Sequence, residues 1–431
     1  MGMMSQLAEA RPVRRRGVLR VGMCGLVGGG NLGNNGSLDA VVAYLRRDHP
    51  EAILDFLGTD PEQLTATYGV PAARMRWYYS GGVGSGRRGL VARTFGATAG
   101  LIVDAVRISN WVRRHDVVIV PGMGVLEAIL PLRVWHTPYW MFVVSASGRI
   151  FGTKVALVSV GASVIERQPM RWLFATAARL AYYRSYRDAA AQSAMKAMGI
   201  DALKDPVYPD VAFSLPVPPD ATGPTGVVGV GVMDYSGDND DRAQADDVHQ
   251  TYVEKMEQFV RWLIDGGRRV RVIIGDSDDE QVAREIIAGV LASRPGLDPA
   301  RIVFELPFSL DDVMRQMAAV DVVVAMRFHN VICALRMAKP TLAIGYGRKH
   351  DALMADMGVP EFCQNVKSLE VPRLSELFLE LEARAAEVRE VLAARNLRQE
   401  ELLDEQFARL SELMLGPGRR RIADYPGAAA A

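Results

Sequence analysis

The chain has 431 residues, 49% of them hydrophobic and 23% charged, which is ordinary for a globular protein and too long for a single core, so two domains are expected. Its 50 Lys and Arg balance 50 Asp and Glu, which excludes a global electrostatic footprint for nucleic acid. Three scattered cysteines (Cys24, Cys333 and Cys363) exclude a disulfide framework or a paired-cysteine zinc pattern and fit a reducing compartment.

Residues 1–16 read as a mobile basic arm containing Arg14, Arg15 and Arg16. A first buried strand is expected over Leu19–Val27; Arg20 interrupts the apolar run and a glycine cluster ends it, unlike a signal peptide. No stretch has the roughly 18 uninterrupted apolar residues of a membrane-spanning helix. The runs EAILDFLG, HDVVIVPGMG and KVALVSVGAS continue the strands, with helical patterns such as SLDAVVAYLRR between them. Continuous rather than alternating apolar runs predict parallel strands covered on both faces. The Pro- and Gly-rich stretch Leu215–Gly226 marks a domain boundary. After it the rhythm restarts: VVGVGVMDY, RRVRVIIGD, RIVFELP, DVVVAMRF and TLAIGY read as strands separated by amphipathic helices. The expected division is an N-terminal α/β domain over 17–218 on the acceptor side, a C-terminal α/β domain over 226–365 on the donor side, helices over 366–415 and a disordered tail over 416–431. Two doubly wound, Rossmann-like domains facing each other across a cleft form the architecture called GT-B. Its ligands are expected beyond the carboxyl ends of the strands.

Four stretches carry chemistry. In DVVVAMRFHN a buried strand delivers Arg327, Phe328 and His329 to its carboxyl end, and a helix expected from about Asn330 turns its unpaired N–H groups into the same space. An arginine fork, an imidazole and a helix N-terminus suit an anion; the bland alternative is a cap and a surface ion pair. In YYRSYRDAAAQSAMKAMGI, Arg187 stands at the mouth of a helix that Asp188 is placed to cap, and Asp210 precedes an expected buried strand, placed either to orient an arginine or to cap a turn. The glycine-rich loop GLVGGGNLGNNG, with Gly30, Asn31, Asn34 and Gly36, opens a helix and offers amide donors for sugar hydroxyls, or else is a turn for close packing. It lacks the lysine of a phosphate-binding P-loop and fits a dinucleotide fingerprint poorly. Lys349 follows the strand after the Arg-Phe-His one, where an anion contact and a solvated loop are equal alternatives. No histidine stands in metal-ligand spacing, so no metal is expected.

These segments resemble the polysaccharide pyruvyl transferase family. GGGNLGNNGSLDA, VVIVPGMG, LVSVGAS, RSYRDAAAQSAMKAMGI with VYPDVAF, and AMRFHNVICALRMAKPTLAIGY with RKH occur in the family's order over about residues 20–350. The chain departs from the family in having the first-loop acid displaced to Asp39, Ser193 one position late, and Phe328 where leucine is usual. The resemblance implies transfer of the enolpyruvyl carbons of phosphoenolpyruvate onto two sugar hydroxyls, forming a ketal and releasing phosphate, with no cofactor. It implies His329 as acid/base or phosphate contact, Arg187 and Arg327 on the donor carboxylate or phosphate, Phe328 contributing its backbone N–H, Lys349 as a further donor contact, and Gly30–Gly36 facing the acceptor or lining the cleft. A cytoplasmic chain acting on a sugar acceptor, polymeric or lipid-linked, is expected, with no nucleic-acid partner; a lipid-linked acceptor would place it at the inner membrane face, where the basic arm either assists as a peripheral contact or is inert. The rival readings are a GT-B glycosyltransferase using a nucleotide sugar and a non-catalytic sugar-binding protein of envelope assembly.

Overall fold

The structure, a computed structural model, describes residues 18–76, 90–127, 134–220, 223–237 and 241–417. The basic arm expected over 1–16 and the tail from residue 418 lie outside the described residues.

The first half is a sheet of six parallel strands, β1 (Arg20–Cys24), β2 (Ile53–Gly58), β3 (Ala72–Arg74), β4 (Val117–Pro121), β5 (Lys154–Val160) and β6 (Tyr183–Tyr186), in the order β3-β2-β1-β4-β5-β6. Around it lie α1 (Leu32–Asp48), α2 (Pro61–Tyr68), α3 (Leu90–Val112), α4 (Thr137–Phe151), α5 (Met170–Leu180) and α6 (Ala189–Ala197). The second half repeats the plan with β7 (Val227–Gly231), β8 (Arg269–Ile273), β9 (Ile302–Phe304), β10 (Val322–Ala325), β11 (Thr341–Gly345) and β12 (Cys363–Asn365), ordered β12-β11-β10-β7-β8-β9 and again parallel. Its helices are α7 (Ala245–Asp265), α8 (Glu280–Ala292), α9 (Leu310–Ala318), α10 (Phe328–Arg336) and α11 (Arg348–Asp356). In each sheet the strand order reverses once, between β1 and β4 and between β7 and β10, and ligands of such sheets collect at these points. The continuous apolar runs behave as their composition requires: every residue of β4, β10 and β11 is buried.

Two further helices, α12 (Val371–Ala383) and α13 (Ala385–Leu410), follow the second sheet. The α13 helix crosses back to the first half. Asn396 Nδ2 donates to Leu335 O at 2.8 Å in the second half, whereas Gln406 Oε1 accepts from Ser159 at 2.9 Å in the first. Beyond α13, Ser411 Oγ lies 2.8 Å from His49 Nε2 and 2.6 Å from Tyr44 Oη, both at the C-terminal end of α1.

Local expectations are corrected at several places. The helix after β10 starts at Phe328, two residues before the expected Asn330, so His329 lies inside its first turn. The residues after Asp210 form one turn of 3-10 helix, Val211–Ser214, not a strand, because Asp210 folds over its own backbone and accepts from Ala212 N at 3.1 Å. The segment Gly33–Gly36 is helical, because Asn31 caps α1 by accepting from Asn34 N at 3.0 Å. The first strand stops at Cys24, three residues short of the expected end.

Candidate active site

Four strand ends converge on one cluster. The β4 end leads to Glu127, β6 to Arg187, β10 to Phe328 and His329, and β11 to Lys349. Neither α10 nor α11 has a side-chain cap at its N-terminus; in α11 His350 N donates to Gly347 O at 3.0 Å, which leaves the N–H groups ahead of it without an intrahelical partner.

Arg187 is 8% exposed and lies at the centre. Its Nη2 donates to Glu127 Oε1. Its Nε and Nη1 lie 3.7 Å from Asp188 Oδ2 and from Asp210 Oδ2, respectively. Asp188 caps α6 as expected of its position, accepting from Ala191 N at 2.6 Å. Asp210 does both things the sequence allowed: one carboxylate oxygen caps its turn and the other faces Arg187 and, at 3.8 Å, His329 Nε2. Three buried atoms here, Arg187 Nε, Asp210 Oδ2 and His329 Nε2, have no hydrogen-bond partner among the described residues, and the last two face each other at 3.8 Å. Such atoms are rare in folded proteins and mark places where a ligand or water supplies the partner.

Lys349 Nζ lies 3.3 Å from Glu127 Oε2, so Glu127 bridges the two cations. Both cations also sit over the Phe328 ring, Arg187 Cζ at 4.6 Å and Lys349 Nζ at 5.1 Å from its centroid. The buried His350 buttresses the ring edge-on at 5.4 Å, and its own Nε2 is held 3.0 Å from Met326 O. Burial would push the Glu127 carboxyl up, but Arg187 and Lys349 outweigh it and hold the group below its ordinary value. Burial pushes His329 down to about 4; Asp210 opposes the shift, and Arg187 and Lys349 add to it. At neutral pH His329 is therefore an uncharged imidazole, a base and not an acid.

Arg327 does not join the cluster. Its guanidinium is bidentate to the fully buried Asp279, Nε to Oδ2 at 2.8 Å and Nη2 to Oδ1 at 2.6 Å, and lies 3.8 Å from Asp276. The glycine-rich loop is likewise occupied. Gly30 O accepts from Ser277 N at 3.1 Å, and Asn31 Nδ2 donates to Asp276 Oδ2 at 2.9 Å, so the loop ties the first half to the second. A Cβ on Gly33 would overlap the His329 ring, and one on Gly36 would overlap Leu310. The Asn34 side chain makes no hydrogen bond among the described residues. Glu127 is the residue that sequence reading missed. Its signal was an acid just beyond VVIVPGMG, at the reversal point of the first sheet.

Arg187, Asp210, Phe328 and Lys349 of the cluster line a cavity of about 390 Å³, together with Ala189 and Ala190 of α6, Ala352 and Leu353 of α11, Gln399 and Leu402 of α13, and Tyr208; Glu127 and His329 are not among its lining residues. Tyr208 Oη donates to Glu405 of α13 at 2.7 Å. Gln399 is 3% exposed; its Nε2 donates to Asp356 Oδ2 at 2.7 Å, and its Oε1 has no partner. No group of metal-ligating side chains occurs among the described residues.

Two Rossmann-like halves, a shared cleft and a helix that crosses back define the class as GT-B, and solved structures share the fold. UDP-GlcNAc 2-epimerase from Methanocaldococcus jannaschii matches with a TM-score of 0.53 at 10% identity, over 84% of this chain and 91% of its own. A putative UDP-N-acetylglucosamine 2-epimerase from Listeria monocytogenes matches with a TM-score of 0.57 at 12% identity, over 93% and 98%. UDP-GlcNAc 2-epimerase from Neisseria meningitidis, solved bound to UDP-GlcNAc, matches with a TM-score of 0.55 at 9% identity, over 90% and 100%. At these identities the likeness is one of fold. No curated protein matches the sequence. Within the class the family is specific: residues 31–348 match polysaccharide pyruvyl transferase, and the chain belongs to that family of transferases. Among the described residues no helix is long and apolar enough to cross a membrane.

Proposed function

We propose that the chain moves the pyruvyl group of phosphoenolpyruvate onto two hydroxyls of a sugar residue in a cell-envelope or extracellular polysaccharide or glycolipid. The observation that carries this reading is the pair of cations, Arg187 and Lys349, both set over the Phe328 ring and bridged by Glu127, with an uncharged His329 alongside. The donor has a carboxylate and a phosphate on a three-carbon frame, so it needs two fixed cations a short span apart. The two uncapped helix ends, α10 and α11, add N–H donors on the phosphate side, including the backbone N–H of Phe328. Fixed cations do the work of a metal here, so the reaction proceeds without a cofactor.

His329 takes the proton of the attacking hydroxyl, and Asp210 at 3.8 Å stabilises the imidazolium that forms. Arg327 acts one layer back, by holding Asp279 and the strand end in place. The acceptor sugar enters through the cavity of about 390 Å³ and not through the glycine-rich loop, whose Gly30 carbonyl and Asn31 side chain are committed to the contact between the halves. Gln399 Oε1, which has no hydrogen-bond partner, offers an acceptor for the sugar's hydroxyls. Because phosphoenolpyruvate is made inside the cell, the reaction belongs on the inner side of the membrane.

The test is phosphate release followed by ³¹P NMR, with carbon-labelled phosphoenolpyruvate and a panel of hexosides, some with neighbouring free hydroxyls and some with those hydroxyls blocked. Phosphate release together with a new ketal carbon signal supports the reading. Release of nucleotide from a UDP-sugar on the same panel, with phosphoenolpyruvate inert, would refute it.

A further inference from the structure

Glu127 spans the two cations with a single carboxylate, one oxygen on Arg187 and the other 3.3 Å from Lys349 Nζ. A three-carbon donor that puts its carboxylate on one cation and its phosphate on the other lays its carbon–carbon double bond between them, alongside this bridge. The donor's anionic groups and Glu127 compete for the same N–H groups, so a bound donor strips Glu127 of both countercharges. Its surroundings do not change. The side chain is 10% exposed, and Gly161 lies so close that a Cβ there would overlap both Glu127 Oε1 and the Arg187 guanidinium. Burial already pushes this carboxyl up, and Arg187 and Lys349 are the main groups that hold it low, with a smaller part from His329. With the two cations claimed by the donor, burial dominates and the carboxyl takes up a proton.

We propose that Glu127 is the catalytic proton donor to the methylene carbon, armed by the donor's own anionic groups; this rests on the pyruvyl-transfer reading. The electron pair of the double bond takes the Glu127 proton and forms the new C–H bond, which leaves positive charge on the central carbon, shared with the ester oxygen. The first acceptor hydroxyl supplies the pair for the new C–O bond and passes its proton to His329. The phosphate then leaves with the C–O pair as the second hydroxyl adds, and that hydroxyl's proton departs with the phosphate. Glu127 and His329 reset by exchanging one proton each with solvent. The trianionic donor thus becomes a ketal monoanion and hydrogen phosphate.

Binding can be tested before any acceptor is known. Phosphoenolpyruvate is titrated calorimetrically in two buffers of different ionisation enthalpy, which counts protons taken up per bound donor. Wild type is expected to take up about one proton more than Glu127→Gln, and its affinity is expected to fall by up to about tenfold per pH unit from about pH 7 to about pH 9. Glu127→Gln, freed of the competing charge, is expected to bind about tenfold tighter without that pH dependence, yet to lose at least about a hundredfold in turnover on a competent acceptor. Glu127→Asp keeps a carboxyl and is expected to retain the proton uptake. Equal uptake by wild type and Glu127→Gln overturns the proposal. So does wild-type affinity that is flat with pH and free of proton uptake, an outcome that needs no variant to fold. Failure of wild type to bind phosphoenolpyruvate at all overturns the donor reading and the proposal with it.

Discussion

Replacing Arg327 by alanine is expected to act on stability before it acts on chemistry. The Asp279 carboxylate is fully buried and has two charge-assisted bonds from Arg327, at 2.8 and 2.6 Å, and one from Asp234 N at 2.9 Å. Truncating Arg327 removes both charged donors and leaves a buried carboxylate with a single backbone N–H. Stranding one member of a buried pair costs about 3–5 kcal/mol. In a domain of this size that lowers the melting temperature by about 10 °C. Asp279→Asn removes the stranded charge, so the double variant Arg327→Ala/Asp279→Asn is expected to recover about 2 kcal/mol of the loss. The assay is urea unfolding of wild type, both single variants and the double variant, each with and without phosphoenolpyruvate. An Arg327→Ala protein within about 0.5 kcal/mol of wild type that no longer responds to phosphoenolpyruvate would refute this assignment. It would return Arg327 to direct contact with the donor.

Three further outcomes follow from the geometry. Gly33→Ala puts a Cβ on the His329 ring, which is 14% exposed and has little room to retreat; a loss of about a hundredfold in turnover with about 1–3 kcal/mol of stability is expected, and wild-type activity would contradict the packing. Asn31→Ala removes both the α1 cap and the bond to Asp276, so thermal unfolding is expected to show about 1–2 kcal/mol of loss, and a change below about 0.5 kcal/mol would sink the idea that this bond ties the halves together. His329, lowered from 6.5 to about 4, is uncharged in the native state while the unfolded chain binds its proton below about 6.5, so native stability falls as pH drops from about 6.5 towards 4. Between pH 7 and 5 this histidine is expected to cost about 2 kcal/mol that His329→Asn does not lose, and identical pH dependence of the two proteins in urea melts would contradict the buried neutral imidazole.

Much of the fold was readable because parallel strands covered on both faces have nothing to alternate with: VVIVP and DVVVA appear as unbroken apolar runs, and each is a central strand. The short β6, Tyr183–Tyr186, carries an arginine and a serine and does not show that signal. The glycine-rich segment reads as a loop because glycine and asparagine disfavour helix interiors. It is helical because Asn31 caps α1, and its glycines stand where His329 and Leu310 take the space that side chains would fill. Arg187, His329 and Lys349 were visible as polar residues at strand ends. The commitments among them were not. Arg327 and Asp279 lie 48 positions apart and Lys349 and Glu127 lie 222 apart, so only the folded topology pairs them. Glu127 stands in no motif, and its chemistry comes from its burial and the two cations brought to it.

The most direct test of the account is a calorimetric titration of the wild-type chain with phosphoenolpyruvate and, separately, with UDP-GlcNAc, repeated on Lys349→Ala. The account predicts saturable binding of phosphoenolpyruvate, weakened at least about tenfold in Lys349→Ala, and no binding of UDP-GlcNAc. Saturable binding of UDP-GlcNAc with none of phosphoenolpyruvate would contradict it, and would assign the cleft to nucleotide-sugar chemistry.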